Sequence, residues 1–298
     1  MIIDVHNHIL SPEVIARAED YKTRDVHFKT LGDHPRNKYA AAEDLVSHMA
    51  ATGVDRAVAF GFAYRDPGLC RETNDYVIDA VRRYPDRLIG FACVSPLAPG
   101  LEAEIARCHD AGLVGVGELF PDGQGYDISD QGQVGLLAGF CRERGMPLLI
   151  HTNEPVGHGY PGKGATGPVK AAAFAEHNPG LKVILAHLGG GLLFYELMPE
   201  LRRALRDVYY DTAALPFLYE KDVFRAAAAA GALEKVLFGS DYPLLSPRRY
   251  FDQLDGAGLD AAQKALVLGE NAARVIPGAG RGNLGDPDQE RPLSDPGR

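Results

Sequence analysis

The chain has 298 residues, 46% of them hydrophobic and 24% charged, which is sufficient for one large α/β domain with a substantial core. Its formal net charge of −9 argues against an extended nucleic-acid groove, which needs a basic face to neutralise phosphates. The four cysteines lack C-x-x-C spacing and no apolar run approaches the ~20 residues of a membrane span, so we expect a cytoplasmic protein with reduced thiols and no membrane partner.

Eight short β-rich runs alternate with helix-like stretches along the chain. The runs are Ile2–Ile9, Ala57–Phe62, Leu88–Val94, Val114–Phe120, Pro147–Thr152, Lys182–His187, Val208–Thr212 and Lys235–Asp241. Apolar residues spaced three and four apart predict helices at Glu72–Tyr84, Leu101–Ala111, Gly132–Arg144, Gly167–His177 and Tyr219–Ala230. This alternation predicts an α/β fold, a (β/α)8 TIM barrel over residues 1–276.

Two segments lie outside the repeating unit. Residues 10–44 are longer and more polar than an ordinary connection between a strand and a helix, and they form either a cap over the barrel mouth or a peripheral helix. Residues 277–298 are rich in Gly, Pro, Asp and Arg without apolar periodicity, which predicts a disordered tail.

Histidines and an aspartate stand at the ends of several predicted strands. His6 and His8 project to the same side of the first strand, with Cα atoms about 7 Å apart, because side chains alternate between faces. His151 and His187 close the fifth and sixth runs, and Asp241 closes the eighth. The C-terminal ends of barrel strands meet at one face, so these side chains are predicted to converge there. Histidines with one carboxylate indicate one or two divalent metal ions, zinc first and manganese or iron next.

Each residue also has an ordinary structural explanation when it is considered alone. A buried histidine is commonly a core residue with satisfied hydrogen bonds, and Asp241 has the position of a helix N-cap. The coincidence of five such residues at strand ends favours the metal site over these explanations. A metal-binding scaffold without catalysis is the alternative from another class.

Three longer segments share motifs with a known family. They are Phe238-Gly239-Ser240-Asp241-Tyr242-Pro243, Ala186-His187-Leu188-Gly189-Gly190 and Gly269-Glu270-Asn271-Ala272-Ala273-Arg274. Together with the H-x-H of the first strand, they resemble the amidohydrolase superfamily and its amidohydrolase-2 branch over residues 1–276. That branch contains amidohydrolases, lactonases and the decarboxylases of aminocarboxymuconate semialdehyde and resorcylate, and its barrels are often homo-oligomers.

The resemblance assigns roles to the strand-end residues. It implies that His6, His8 and His151 are metal ligands, and that Asp241 contacts the metal and takes the proton from an attacking water. It leaves two roles open for His187, either ligand to a second metal or a residue that polarises the substrate.

Glu118 departs from the pattern of the decarboxylase-like branch, which usually has a single metal. A carboxylate at the end of the fourth strand is similar to the TatD-like branch, where a glutamate bridges two metals. Glu118 is therefore either a metal ligand or an acid that supports the site from outside it.

Four further residues are candidates for substrate binding. His158, Tyr160 and Lys163 lie in the long loop after the fifth strand, which is predicted to overhang the barrel mouth. Arg65 follows the second strand and has the chemistry to pair with a substrate carboxylate. The alternatives are a purely structural loop and a surface arginine.

The leading hypothesis is a metal-dependent hydrolase of a small carbonyl compound, an amide or a lactone. Metal-activated water would attack the carbonyl while Asp241 takes its proton. The alternative is a non-oxidative decarboxylase of a small carboxylic acid on the same residues. A TatD-like nuclease is a third hypothesis, which Glu118 favours and the net charge opposes.

Overall fold

The computed structural model describes residues 1–280, and its centre is a closed ring of parallel strands. The strands are β1 Ile3–His8, β2 Arg56–Phe60, β3 Leu88–Ala92, β4 Gly115–Leu119, β5 Leu148–Ile150, β6 Val183–Leu185, β7 Val208–Asp211 and β8 Val236–Leu237. Each strand pairs in parallel with the next in sequence. Val5 N donates to Phe238 O at 2.8 Å, and this bond closes β8 against β1. The predicted (β/α)8 TIM barrel is confirmed.

Helices cover the outside of the barrel. The α-helices are Pro12–Ala16, Ala18–Arg24, Val26–Gly32, Ala42–Thr52, Pro67–Arg83, Leu101–Asp110, Pro121–Gln124, Gln131–Glu143, Pro168–His177, Pro199–Ala204, Leu215–Leu218, Val223–Ala229, Pro247–Gly256, Ala261–Ala265 and Asn271–Val275. Leu192–Leu197 and Leu233–Lys235 are 3-10 helices, and Leu266–Glu270 is a π-helical segment. Ala186–Gly189 is a single turn in which His187 and Leu188 have positive φ. Most strand residues are buried, as a parallel sheet covered by helices requires.

Residues 10–44 contain the three short helices between Pro12 and Gly32. Their apolar side chains, among them Val14, Tyr21 and Phe28, form a small separate core with Tyr64 and Leu69. This segment supplies part of the wall of the cavity at the barrel mouth. Its interpretation as a cap, and the domain division at residue 276, stay predictions.

Residues 277–280 continue from the last helix, with Ala279 buried against the barrel core. The rest of the predicted tail lies outside the described residues. Within residues 1–280, none of the helices combines the length and apolar character needed to cross a membrane. All four cysteines are free and buried.

Candidate metal centre

A first group of four donor atoms gathers at the C-terminal ends of β1, β4 and β8. His6 Nε2 lies 3.3 Å from His8 Nε2 and 3.3 Å from Glu118 Oε2. His8 Nε2 lies 3.5 Å from the same Glu118 oxygen. Asp241 Oδ1 lies 3.7 Å from His6 Nε2 and 3.6 Å from His8 Nε2. The atoms converge from strand ends that are more than 230 positions apart in sequence.

A second group of three donors shares Glu118 with the first. His151 Nδ1 lies 2.9 Å from Glu118 Oε1 and 3.1 Å from His187 Nε2. His187 Nε2 is 3.8 Å from the same Glu118 oxygen. Glu118 therefore directs one carboxylate oxygen to each group. The His151 donor atom lies in this second group and not beside those of His6 and His8.

The donor separations fit a transition metal. Bond lengths of about 2.0–2.2 Å to tetrahedral ligands place those ligands about 3.3–3.6 Å apart. The five separations of the first group, 3.3–3.7 Å, match this spacing. The second group offers two imidazoles and one carboxylate oxygen, which leaves positions open for water or substrate.

The backbone at the strand ends is shaped to present these ligands. Gly117 has φ +126°, and a Cβ there would lie 2.2 Å from the carbonyl oxygen of Leu149, so only glycine permits β4 to approach β5 directly before Glu118. Asp241 has φ 60°, a left-handed conformation that Asp and Asn adopt more readily than most residues. Asp4 Oδ1 accepts from the backbone N–H groups of His6 and Ser240, which ties β1 to the loop that carries Asp241.

Each imidazole is oriented by a second hydrogen bond on its other nitrogen. His6 Nδ1 pairs with Asp211 Oδ2 at 2.8 Å, and His187 Nδ1 pairs with the Ala213 carbonyl at 2.8 Å. Asp211 also accepts from the His187 and Ala213 backbone N–H groups through Oδ1. Sequence reasoning missed Asp211, although it ends β7 as the other candidates end their strands.

The electrostatics of the cluster favour bound positive charge. Burial alone would lower the pKa of His6, but the adjacent Glu118 and Asp211 carboxylates outweigh it and hold the pKa well above its ordinary value. Burial alone would raise the pKa of Glu118, but His6 and His151 keep it well below its usual range. Two buried carboxylates among imidazoles are the surroundings in which a divalent cation is stable.

A cavity of about 680 Å³ opens above the cluster. His8 and Asp241, with side-chain exposures of 28% and 14%, are the most exposed residues of the cluster, so the cluster opens to the cavity on their side. The wall carries aromatic and aliphatic side chains, namely Phe28, Leu31, Phe62, Phe120, Phe217, Leu218 and Leu244. Arg36 and Lys38 lie at the cavity and are exposed to solvent.

The cavity includes two of the four predicted substrate contacts. His158 and Tyr160 line it. Among the described residues, Lys163 does not line the cavity, because its Nζ donates to the Val156 and His158 carbonyls within the same loop. Arg65 is also absent, because its Nε donates to the Gln124 carbonyl and its guanidinium packs beside Gly125.

His27, in the segment predicted as a possible cap over the barrel mouth, is a wall residue of the cavity. Its ring stacks on Phe120 with centroids 3.9 Å apart, and Phe120 stacks on His151 at the same distance. Burial, with a smaller contribution from His151, lowers the pKa of His27 to about 4. The ring is therefore a neutral polar group in a mostly apolar wall.

Comparisons with known proteins agree with this fold. The amidohydrolase family model matches residues 3–278. The chain is similar to the γ-resorcylate decarboxylase of Rhodococcus jostii (strain RHA1), with 23% identity over 310 residues that cover 89% of this chain and 90% of the relative.

Solved structures show the same barrel at low identity. The 5-carboxyvanillate decarboxylase LigW of Sphingomonas paucimobilis superposes with a TM-score of 0.73 and 18% identity over 92% of this chain and 98% of the other. A dihydroxybenzoic acid decarboxylase of Polaromonas sp. JS666, solved with bound manganese, superposes with a TM-score of 0.68 and 18% identity, covering 92% of this chain and 96% of the other. A probable 2-pyrone-4,6-dicarboxylic acid hydrolase of Acinetobacter baumannii superposes with a TM-score of 0.61 and 16% identity, covering 92% of this chain and 98% of the other.

The His/Glu/His grouping has the donor chemistry and spacing of a divalent-metal site. Because the family model spans nearly all of the described residues, the chain belongs to the amidohydrolase family and is an enzyme of the amidohydrolase type.

Proposed function

We propose that this protein is a metal-dependent, non-oxidative decarboxylase of a small aromatic carboxylic acid. The observation that carries the proposal is a donor cluster with the spacing of a metal site at the base of a cavity with an aromatic wall. The similarity to decarboxylases of hydroxylated benzoates supports this reaction over hydrolysis, which the sequence alone favoured.

The residues proposed to hold metal are those of the two groups. His6, His8, Asp241 and Glu118 would hold one divalent cation, and Glu118, His151 and His187 would hold a second. Zinc and manganese both suit imidazole and carboxylate donors. A bound cation supplies positive charge that holds the anionic oxygens of a substrate.

The charges around the cavity favour an anionic substrate. Within the described chain, Glu118 and Asp241 are the only acidic residues that line it, and both belong to the metal cluster. The formally charged lining residues outside the cluster are Arg36 and Lys38, which attract carboxylates. In a chain with net charge −9, this local reversal supports steering of an acid into the mouth.

Asp241 is the proposed proton donor. Its carboxyl group would protonate the ring carbon that carries the carboxylate, the C–C bond would break, and its electron pair would restore the aromatic ring as carbon dioxide leaves. Asp241 faces the cavity, so it is placed to reach that carbon. Phe62 and Phe217 supply apolar aromatic surface in the wall, which suits an aromatic ring held above the cluster.

The test is product analysis with 2,6-dihydroxybenzoate and 5-carboxyvanillate as probes. We expect carbon dioxide and the corresponding phenol in equal amounts from at least one acid, and no release after metal removal. Failure of a panel of hydroxybenzoates, with turnover of a lactone or amide instead, would contradict the proposal.

Hydrolysis of a lactone is the second candidate function. The similarity to a probable pyrone dicarboxylate hydrolase favours it, and the same Asp241 would act as a base toward water instead of as an acid toward carbon. The nuclease hypothesis depended on Glu118, and a cavity of about 680 Å³ with a mostly apolar wall gives it no support.

A further inference from the structure

Asn153 contacts the candidate metal centre from outside it, just beyond the end of β5. Its side chain is 1% exposed, and its Oδ1 lies 3.2 Å from His151 Nε2. The Tyr160 hydroxyl lies 3.3 Å from the same oxygen and 3.5 Å from Glu154 Oε2. The Nδ2 group of Asn153 is buried and has no hydrogen-bond partner in the described chain. The amide therefore interacts through its oxygen alone.

The protonation of His151 decides what its Nδ1 atom can do. A neutral imidazole carries one proton, and a ring that binds a cation through Nδ1 must carry that proton on Nε2. His151 Nδ1 is the atom that faces Glu118 and His187, and Nε2 is the atom that faces Asn153. An acceptor at Asn153 Oδ1 stabilises the form with the proton on Nε2 and leaves the Nδ1 lone pair free.

The surrounding backbone holds Asn153 in this position. Its N–H donates to the Thr166 carbonyl at 2.8 Å. A Cβ at Gly190 would lie 2.2 Å from the Asn153 carbonyl oxygen, so the turn after β6 packs directly on this residue. These contacts fix the Asn153 backbone on two sides, so its Cα is held beside His151.

We propose that Asn153 is a positioning residue that keeps His151 in the tautomer whose Nδ1 binds the second cation. The inference rests on the proposed function, since it requires the Glu118, His151 and His187 group to hold a metal. Asn153 contacts neither the cation nor the substrate in this proposal. Its effect is on how tightly the second ion binds.

The test compares Asn153→Leu and Asn153→Asp with the wild type by zinc titration against a chelator. Loss of a hydrogen bond that orients a metal-binding histidine typically weakens metal affinity about 10- to 100-fold. We expect that loss for the second ion in Asn153→Leu, with the first ion unaffected. We expect Asn153→Asp to retain two ions, because a carboxylate also accepts from Nε2 and no bond of Nδ2 is lost.

Asn178→Leu is the matched control. Asn178 is buried at the end of helix Pro168–His177, before the start of β6, and its Nδ2 donates to the Phe174 carbonyl, whereas the cluster lies beyond the C-terminal ends of the strands. It tests whether burying leucine in place of a polar amide is enough to change metal binding, and we expect unchanged affinity for both ions. Nitrogen-15 NMR of histidine-labelled, zinc-loaded protein supplies a readout independent of affinity. We expect a protonated Nε2 on His151 in the wild type.

Three results would overturn the inference. Asn153→Leu binding both ions with wild-type affinity would remove the role of the acceptor. Equal weakening in Asn153→Asp and Asn153→Leu would show that packing of the amide matters instead. Fewer than two ions in the wild type would contradict the two-ion centre, and this inference with it.

Discussion

Individual residues at this site combine conformations and charges that a stable core does not require. His187, Leu188 and Asp241 have positive φ, which costs free energy in residues other than glycine. Glu118 and Asp211 are buried carboxylates, each surrounded by groups that stabilise its charge. Such features persist where function selects them, so single substitutions at these residues test the chemistry of the site.

Asp241→Asn tests the proton donor. Asparagine also adopts the left-handed conformation at φ 60°, so the fold is expected to persist. The amide cannot donate or accept the proton, and turnover is expected to fall about 10²- to 10⁴-fold. Steady-state kinetics with circular dichroism checks both points. Asp222→Asn, on an exposed helix start, is the control, and wild-type turnover in Asp241→Asn would exclude the assigned role.

His27→Phe tests the neutral imidazole in the cavity wall. The folded pKa of His27, about 4, lies below the unfolded value of about 6.5, so its contribution to stability is full above pH 6.5 and is lost as pH falls through 4. Between pH 7.5 and 5.0 the wild type should lose about 2 kcal/mol of unfolding free energy that the variant keeps. Urea denaturation at the two pH values measures the difference, and equal losses in both proteins would refute it.

At the scale of elements, the sequence predicted the repeating strands and helices, and it missed a helix start that depends on the preceding turn. Runs of mostly apolar residues located the strands, because strands covered on both faces are mostly apolar, and β1 was found although it also carries Asp4, His6, Asn7 and His8. The predicted helix at Glu72–Tyr84 begins earlier, at Pro67, because Asp66 caps it by accepting from Gly68 N and Leu69 N. Asp66 followed by Pro67 is a helix-start signal that the sequence itself carries.

The site was predictable to the extent that it follows strand ends. His6, His8, His151, His187, Glu118 and Asp241 converge as the barrel requires. Arg65 lies outside the cavity because its side chain donates to the Gln124 carbonyl. These residues are 59 positions apart, so no local pattern reveals the contact. Decarboxylation and hydrolysis use the same ligands, so no motif in this chain separates them.

Asp25→Ala tests the element that carries His27 into the cavity wall. Asp25 caps helix Val26–Gly32 by accepting from Phe28 N at 2.8 Å, and its second oxygen accepts from Arg65 N at 3.0 Å. Loss of both bonds from a buried carboxylate should cost about 1–3 kcal/mol of unfolding free energy and raise KM with little effect on metal affinity. Asp33→Ala, at an exposed helix end, is the control. A stability within 0.3 kcal/mol of wild type would contradict the capping role.

At the scale of the whole molecule, the proposed metal ligands come from distant parts of the ring. His6, Glu118, His151 and Asp241 come from β1, β4, β5 and the segment after β8, so bound cations would crosslink strands around the barrel. Binding to the folded state alone stabilises a protein by about 2.7 kcal/mol when free metal is 100 times its dissociation constant. We expect a chelator to lower the unfolding temperature and zinc or manganese to restore it. Identical unfolding curves with and without chelator would contradict the crosslink.

The most direct measurement is anomalous X-ray scattering from crystals of protein purified without chelators, with elemental analysis of the same sample. We predict transition-metal peaks between His6, His8 and Asp241 and between His151 and His187, with Glu118 contacting both. A sample free of transition metals, or peaks elsewhere on the molecule, would contradict the proposed centre and the reaction assigned to it.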